Sequence, residues 1–181
     1  MSQHEAEVDA QGEEYGNALQ AGAYERNLNT VKLLLEHGAD VSIQLRLANR
    51  LSLLHVGTVS SNLAILKILC DAGASIHLNS QDNSGLTSPH VAVDRGNVTI
   101  ARFLLNIGAS PDKADFGDIN PFQMAIRNQD CDMVFLLYPK TTVGLSSIDA
   151  SDWRRFRNAS KCTIEMVKTS SLNFLPEILI S

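Results

Sequence analysis

The apolar residues of this chain fall into short amphipathic segments that recur at a fixed interval. Three leucine-rich segments, "TVKLLLEHGAD", "AILKILCDAGAS" and "IARFLLNIGAS", each contain a glycine–alanine pair at or near their end. The glycines Gly38, Gly73 and Gly108 are separated by 35 residues. A constant period of this size is typical of proteins built from stacked structural repeats. The pattern therefore predicts an array of helical repeats.

Each repeat begins with a residue that can cap a helix. Such residues accept backbone N–H groups through a side-chain oxygen, and they stand 21 positions before each glycine and at the start of a fourth unit: Asn17, Ser52, Thr87 and Asn120. Five positions past each cap the residue is small, namely Gly22, Gly57, Ala92 and Ala125. A small residue lets a second helix approach closely, and the glycine that ends that helix suits a left-handed C-cap. Each unit is thus predicted to be helix, tight turn and helix.

These residues resemble the ankyrin repeat. "SGLTSPHVAVDRGN" with "ARFLLNIGAS" is the nearest copy of its pattern, and "SLLHVGT" with "LKILCDAGAS" is the second. The opening "GEEYGNALQAGAY" looks similar to the openings of long fungal ankyrin arrays. Two departures are Pro89, which replaces the leucine of the opening, and the fourth unit, which ends "LLYPKTTVG" without glycine–alanine. The resemblance implies an all-α ankyrin-repeat solenoid of about four helix-turn-helix units.

The predicted organisation has three parts. Residues 1–11 contain "EVDAQ", which resembles the tail of a preceding repeat; the alternative is a disordered N-terminus. Residues 12–145 hold the repeats, and residues 146–181 are predicted to form a helical capping extension. The repeat boundaries are approximately 12–46, 47–81, 82–114 and 115–145.

The capping extension is predicted because one repeat has an aromatic residue at a position where the other repeats have a basic residue. Fifteen positions past the caps stand Lys32, Lys67 and Arg102, but the fourth member is Phe135. An aromatic ring at this place favours a covering segment. The apolar residues for it would come from Trp153, Phe156 and "SLNFLPEILIS". This segment is predicted to begin with a helix capped at Ser151 or Ser147. The alternative is that Phe135 is simply one exposed aromatic residue, which is common on protein surfaces.

Composition narrows the classes of function. The chain has 181 residues, 44% of them hydrophobic, and a formal net charge of −5. With no block of basic residues we expect no nucleic-acid partner, and with no apolar run near 18 residues we expect no membrane span. Cys70, Cys131 and Cys162 show no CxxC or CxxH spacing, which argues against a zinc site and fits reduced thiols. We therefore expect a cytoplasmic protein, with the nucleus as the alternative.

No catalytic constellation stands out. His55 and His90 occupy the fourth position of the repeat opening, where the resemblance implies a histidine that hydrogen-bonds backbone and the capping hydroxyl. The same position holds Gln20 and Gln123, which cannot act as a general base. Cys70 aligns with leucines of the core. We expect no catalytic residue, no cofactor and no metal ion.

Two functional hypotheses remain. The first is a protein–protein interaction module that binds a protein or peptide in the concave groove of the repeats, and a small apolar ligand is a further option. The second is a small enzyme, such as a cyclase or isomerase of an apolar metabolite, with a pocket between the groove and the extension that holds Asp94, Arg95, Arg127 or Trp153. The charges Asp94 and Arg127 could also simply neutralise each other. The residues predicted to bind a partner are Tyr24, Glu25, Val59, Ser60, Asp94, Arg95, Arg127, Asn128, Asn83, Leu86, Phe116 and Met124, with Ser84 and Ile119 beside them.

Overall fold

The computed structural model describes residues 7–12, 16–43, 51–142 and 149–158. These residues form four helix pairs followed by one further helix, which confirms the predicted all-α solenoid. The first helices of the pairs are α1 (Ala18–Tyr24), α3 (Leu53–Val59), α5 (Ser88–Asp94) and α7 (Pro121–Arg127). The second helices are α2 (Leu28–Glu36), α4 (Leu63–Asp71), α6 (Val98–Asn106) and α8 (Cys131–Leu137). Helix α9 (Ala150–Asn158) follows, and 3-10 turns cover Ala74–His77 and Tyr138–Lys140.

The predicted N-caps of the four first helices are confirmed. Each cap residue forms a reciprocal capping box with the residue three positions later, which is Gln20, His55, His90 or Gln123. The second helices are also capped, although the sequence analysis did not single out these residues: Asn27, Asn62, Asn97 and Asp130. Because a cap satisfies backbone donors within three residues, both sets depend only on local sequence.

The small residues allow the two helices of a pair to touch. A Cβ atom added to Gly22 would lie 3.2 Å from Thr30 Cγ2, and one added to Gly57 would lie 3.0 Å from Leu66 Cδ1. Ala92 and Ala125 are fully buried at the same position. The predicted close approach of the second helix is therefore confirmed in the first two repeats by direct contact and is consistent with burial in the others.

Glycine turns end three of the second helices. Gly38, Gly73 and Gly108 have φ values of 81°, 104° and 97°. After α2, the N–H of Ala39 donates to the carbonyl of Leu34 at 3.0 Å, and Ala109 and Leu104 repeat this bond after α6. These are the left-handed turns that the glycine–alanine pairs predict.

Each helix pair also has a residue with a left-handed backbone conformation in the turn between its two helices, which was not predicted. These residues are Arg26 (φ 60°), Ser61 (φ 55°), Gly96 (φ 61°) and Gln129 (φ 57°). Only the third repeat places glycine there, so three repeats accept a residue with a side chain in a conformation that glycine adopts more easily. The sequence "RGN" of the third repeat was the single available signal.

The C-terminal helix returns to the fourth repeat, as predicted, but its details differ. Helix α9 packs against α7, and Phe156 is only 1% exposed within the common core. The predicted cap at Ser151 is wrong, because the helix starts at Ala150 and the N–H of Ser151 donates to Asp149 Oδ1 at 2.7 Å. Phe135 is half-buried. Ser147, the Trp153 side chain and the segment "SLNFLPEILIS" lie outside the described residues.

Candidate functional site

Hairpins form the beginning of the third and fourth repeats and carry several predicted site residues at their tips. In each hairpin one aspartate accepts two backbone N–H groups: Asp82 from Ser84 and Leu86, both at 2.8 Å, and Asp115 from Gly117 and Ile119, at 2.8 and 2.9 Å. Such bonds are a common reason for aspartate in turns. Asp82 and Asp115 thus stabilise the turns of their hairpins.

The two hairpins pair with each other at their tips. The N–H of Phe116 donates to the carbonyl of Ser84 at 3.2 Å. A Cβ atom added to Gly85 would lie 2.4 Å from the backbone nitrogen of Phe116 and 2.7 Å from its ring atom Cδ1. Gly85 thus allows the next hairpin, including the ring of Phe116, to lie directly over it. Phe116 itself remains 72% exposed.

The buried histidines tie each first helix to the next hairpin. His55 Nδ1 accepts the N–H of Ser52 at 3.2 Å, so Nε2 carries the proton and donates to the carbonyl of Leu86 at 2.9 Å. His90 does the same between Thr87 and Ile119, at 3.0 and 2.9 Å. In the first repeat Gln20 Nε2 donates to the carbonyl of Ile43 at 3.0 Å. Both ring nitrogens of each histidine thus form hydrogen bonds with the protein backbone, which agrees with the structural role expected for them.

The environment of these histidines keeps them neutral. Burial lowers the pKa of both His55 and His90 below the ordinary value of 6.5. The bonds to Leu86 and Ile119 and the carboxylates Asp82 and Asp115 oppose this shift only in part. A neutral ring suits the observed pattern, because Nδ1 can accept a backbone N–H only when it is unprotonated.

Three side chains, which the sequence analysis did not single out, use their oxygen atoms to join neighbouring units of the stack. Asp9 accepts the N–H of Asp40 at 3.0 Å, and Asn79 accepts the N–H of Ser110 at 2.8 Å. Asp112 accepts the N–H of Thr142 at 2.8 Å and also binds the hydroxyls of Thr141 and Thr142. The partners are about 30 residues apart, so only the three-dimensional stacking brings them together.

The predicted site residues fall into accessible and inaccessible groups. Ser60 is buried and its hydroxyl donates to the carbonyl of Gly57 at 2.8 Å, so it offers no surface to a partner. The residues that are only partly accessible are Val59, Leu86 and Met124, with Ile119 beside them. The exposed ones are Tyr24, Glu25, Asp94, Arg95, Arg127 and Asn128 at the ends of the first helices, with Asn83, Ser84 and Phe116 at the hairpin tips. We call this exposed set the groove surface.

One member of the groove surface is engaged by the C-terminal helix. Arg127 Nε donates to Asp152 Oδ2 at 2.7 Å, and the two side chains are 47% and 12% exposed. The alternative pairing of Arg127 with Asp94 is not observed. Helix α9 therefore borders the groove surface at the fourth repeat, next to α7.

The cysteines do not form a reactive site in the described part of the chain. Burial, with a smaller effect of Asp71, raises the pKa of the Cys70 thiol to about 11, as expected for a residue packed against the core. Cys131 is disulfide-bonded, so the expectation of reduced thiols is wrong for this residue. No group of three His, Cys, Asp or Glu residues suited to a metal ion occurs among the described residues.

Comparison with known families agrees with the repeat pattern. A family model described as "Ankyrin repeats (3 copies)" matches residues 54–149, and one described as "Ankyrin repeat" matches residues 17–45. A search of curated proteins gives no match. None of the described helices is long and apolar enough to cross a membrane.

Proposed function

Because the chain belongs to the ankyrin-repeat family, whose members generally serve as protein-interaction modules, we propose that it binds a protein or peptide partner on the groove surface. The main support for this proposal is the exposed and anchored position of Phe116. This residue is 72% exposed, while its backbone is anchored to Ser84 and its position over Gly85 is set by the hairpin contact. A large apolar side chain on a rigid support is a typical interface anchor.

Polar residues beside this anchor would supply selectivity. Arg95 is exposed at the end of α5, and within the described residues its side chain has no ion pair or hydrogen bond; only its backbone N–H is used, by the carbonyls of Val91 and Val93. The neighbouring Asp94 is also exposed. Arginine presents a planar, many-donor group that is favoured at interface centres. We therefore expect Arg95 and Phe116 to contribute most of the affinity.

The test begins with the isolation of a partner from the source organism by affinity chromatography on the purified chain. Dissociation constants would then be measured with the purified partner. Arg95→Glu and Phe116→Ala should each weaken binding by more than about tenfold. The matched controls are Lys32→Glu and Lys67→Glu, which change charge equally at exposed positions of the second helices.

The pattern of effects decides the proposal. If all three charge changes weaken binding equally, long-range electrostatics is responsible and the groove surface is not the site. If the lysine variants lose binding while Arg95→Glu and Phe116→Ala keep it, the partner binds the second helices instead. Arg127 is unsuited to this test, because Arg127→Glu would place two carboxylates together and loosen α9.

The enzyme hypothesis gains no supporting observation in the described part of the chain. Of the four residues that this hypothesis names, Arg127 is ion-paired with Asp152. His55 and His90 are used by the frame. The side chain of Trp153 lies outside the described residues.

A further inference from the structure

The one ion pair among the described residues joins the groove surface to the C-terminal helix. Arg127 Nε donates to Asp152 Oδ2 at 2.7 Å. Arg127 is the last residue of α7, and the corresponding residues of the other repeats are Tyr24, Val59 and Asp94. The contact therefore does not belong to the repeat pattern. It combines an arginine of the fourth repeat with a carboxylate of α9, which follows the four repeats.

The carboxylate of this pair is held in place by packing. The Asp152 side chain is 12% exposed, and Phe156, one turn later on α9, is 1% exposed within the common core. Side chains four residues apart lie on the same face of a helix. Asp152 and Phe156 thus both face the fourth repeat, where α9 packs against α7. The burial of Phe156 fixes the position of the acceptor oxygen.

The other end of the arginine side chain is open. A guanidinium group has five N–H donors, and only the donor on Nε is used here. The two terminal nitrogens of Arg127 have no hydrogen-bond partner among the described residues, and the side chain is 47% exposed. Arg127 is thus fixed at one edge and accessible at the other.

Arg95 shows what this fixation changes. Its side chain is exposed and has no partner within the described part of the chain, so it has to be ordered when a ligand binds. Ordering one long side chain weakens binding by about 2- to 12-fold. Arg127 is already ordered by Asp152, so a ligand of its terminal nitrogens binds without this loss.

The charges at Arg127 and on α9 indicate which acceptor fits. Asp152 neutralises Arg127, and the exposed Asp149 and Arg155 add one charge of each sign. The exposed Arg154 stands two residues after Asp152, about 200° around the helix and therefore on its opposite side. These charges leave no excess that would attract a carboxylate past Asp149 and Asp152, whereas an uncharged oxygen meets no repulsion.

We propose that Asp152 is a positioning residue of the groove surface. It holds Arg127 so that the terminal nitrogens of this arginine bind an uncharged acceptor, a main-chain carbonyl oxygen of the partner. The inference rests on the proposed function, because it requires a partner on the groove surface. The C-terminal helix thereby contributes to recognition as well as to packing.

The test uses the full chain and the partner isolated as described above. Arg127→Met keeps the apolar stem and removes every donor, so it should weaken binding by about tenfold. Asp152→Ala should weaken binding by at least about threefold, because Arg127 regains its freedom. Asp152→Asn keeps an oxygen acceptor and should stay within about twofold of the parent. The control is Asp149→Ala, at an exposed carboxylate that does not bond Arg127, which should also stay within about twofold.

Two further measurements separate positioning from a general effect on the fold. The double variant Arg127→Met/Asp152→Ala should bind as weakly as Arg127→Met alone, because Asp152 acts through Arg127. The loss caused by Arg127→Met should be the same at about 0.1 M and about 1 M NaCl, where the Debye length is about 10 Å and about 3 Å. Circular dichroism and the Tm of each variant verify that the variants are folded.

Each contrary result has one meaning. If Asp152→Ala weakens binding equally with and without Arg127→Met, Asp152 acts on the fold and the positioning role is wrong. If the loss caused by Arg127→Met disappears at high salt, the acceptor is a partner carboxylate and the uncharged acceptor is wrong. Full affinity of Arg127→Met overturns this inference alone when Phe116→Ala still weakens binding. Full affinity of both variants means that the proposed function fails as well.

Discussion

The third and fourth repeats share one backbone frame but differ at residues whose surroundings depend on a following repeat. Gly85 and Asp118 occupy the same hairpin position with φ values of 81° and 60°. Gly85 lies under the next hairpin, where an added Cβ would meet the backbone nitrogen of Phe116 at 2.4 Å. Asp118 belongs to the hairpin of the fourth repeat, and no further hairpin follows it among the described residues. The turn alone therefore tolerates aspartate, whereas contact with the neighbouring repeat requires glycine.

The largest expected effect is at the interior hairpin. Gly85→Ala should lower the free energy of unfolding by about 3 kcal/mol, of which about 1–2 kcal/mol comes from the left-handed backbone and the rest from displacement of the Phe116 backbone. Asp118→Ala, at the hairpin of the fourth repeat, should change it by less than about 1 kcal/mol. Urea denaturation of both variants measures the difference. Equal losses would show that the hairpin contact contributes nothing.

Gly96→Ala separates backbone strain from overlap. Gly96 has φ 61°, but an added Cβ would meet only Asp130 Oδ2, at 3.8 Å. The expected loss is therefore the strain alone, about 1–2 kcal/mol. The counterpart Gln129 already accepts this conformation in the fourth repeat. A loss as large as that of Gly85→Ala, again in urea denaturation, would contradict the division into strain and overlap.

The third and fourth repeats should also differ in their response to acid, because His90 corresponds to Gln123. Burial lowers the pKa of His90, so below the ordinary value of 6.5 the unfolded chain binds more protons than the folded chain. Stability must then fall as the pH drops from 6.5 toward the folded-state pKa, with a slope of at most about 1.4 kcal/mol per pH unit for one group.

His90→Gln should reduce this loss, and adding His55→Gln should reduce it further, because burial lowers the pKa of His55 as well. The measurement is the free energy of unfolding between pH 7 and pH 5, above the range in which most carboxylates titrate. Should the single and double variants retain the acid sensitivity of the parent, the two rings are not its source.

The smallest expected effect concerns the first residue of each first helix. Ser88 in the third repeat is fully buried, and its hydroxyl is the one buried side-chain polar atom without a hydrogen bond among the described residues. Its counterpart is Pro121, which has no such group. Removing an unpaired buried hydroxyl avoids its desolvation penalty, so Ser88→Ala should stabilise the protein by about 1 kcal/mol.

A thermal shift of about 2–4 °C would report this gain. The control is Ser75→Ala, at an exposed serine, which should leave the Tm unchanged within about 2 °C. A Ser88→Ala variant less stable than the parent would mean that the hydroxyl has a partner, such as a bound water molecule, that stabilises the folded chain.

The positions of the helices and of the turns within each repeat follow from local sequence. Caps such as Asn17 and Thr87 accept backbone N–H groups within three residues. Gly38 and Gly73 allow the positive φ angles that end their helices. Such effects are local, and repetition at a constant period made each assignment a check on the others. For the candidate site, the sequence could predict only which positions are exposed. The ends of the first helices and the hairpin-tip residue Phe116 are exposed because of their positions within the repeat.

The side chains of the groove surface that are bound by other parts of the chain are visible only in the folded structure. Arg127 pairs with Asp152, 25 residues away on α9, and Asp112 holds the backbone of Thr142, 30 residues away. The sequence analysis predicted that the extension covers the fourth repeat, and its described part, α9, packs on α7, where Phe156 is buried and Asp152 pairs with Arg127. Contacts between distant segments depend on shape and distance after folding, and no local pattern in the chain encodes them.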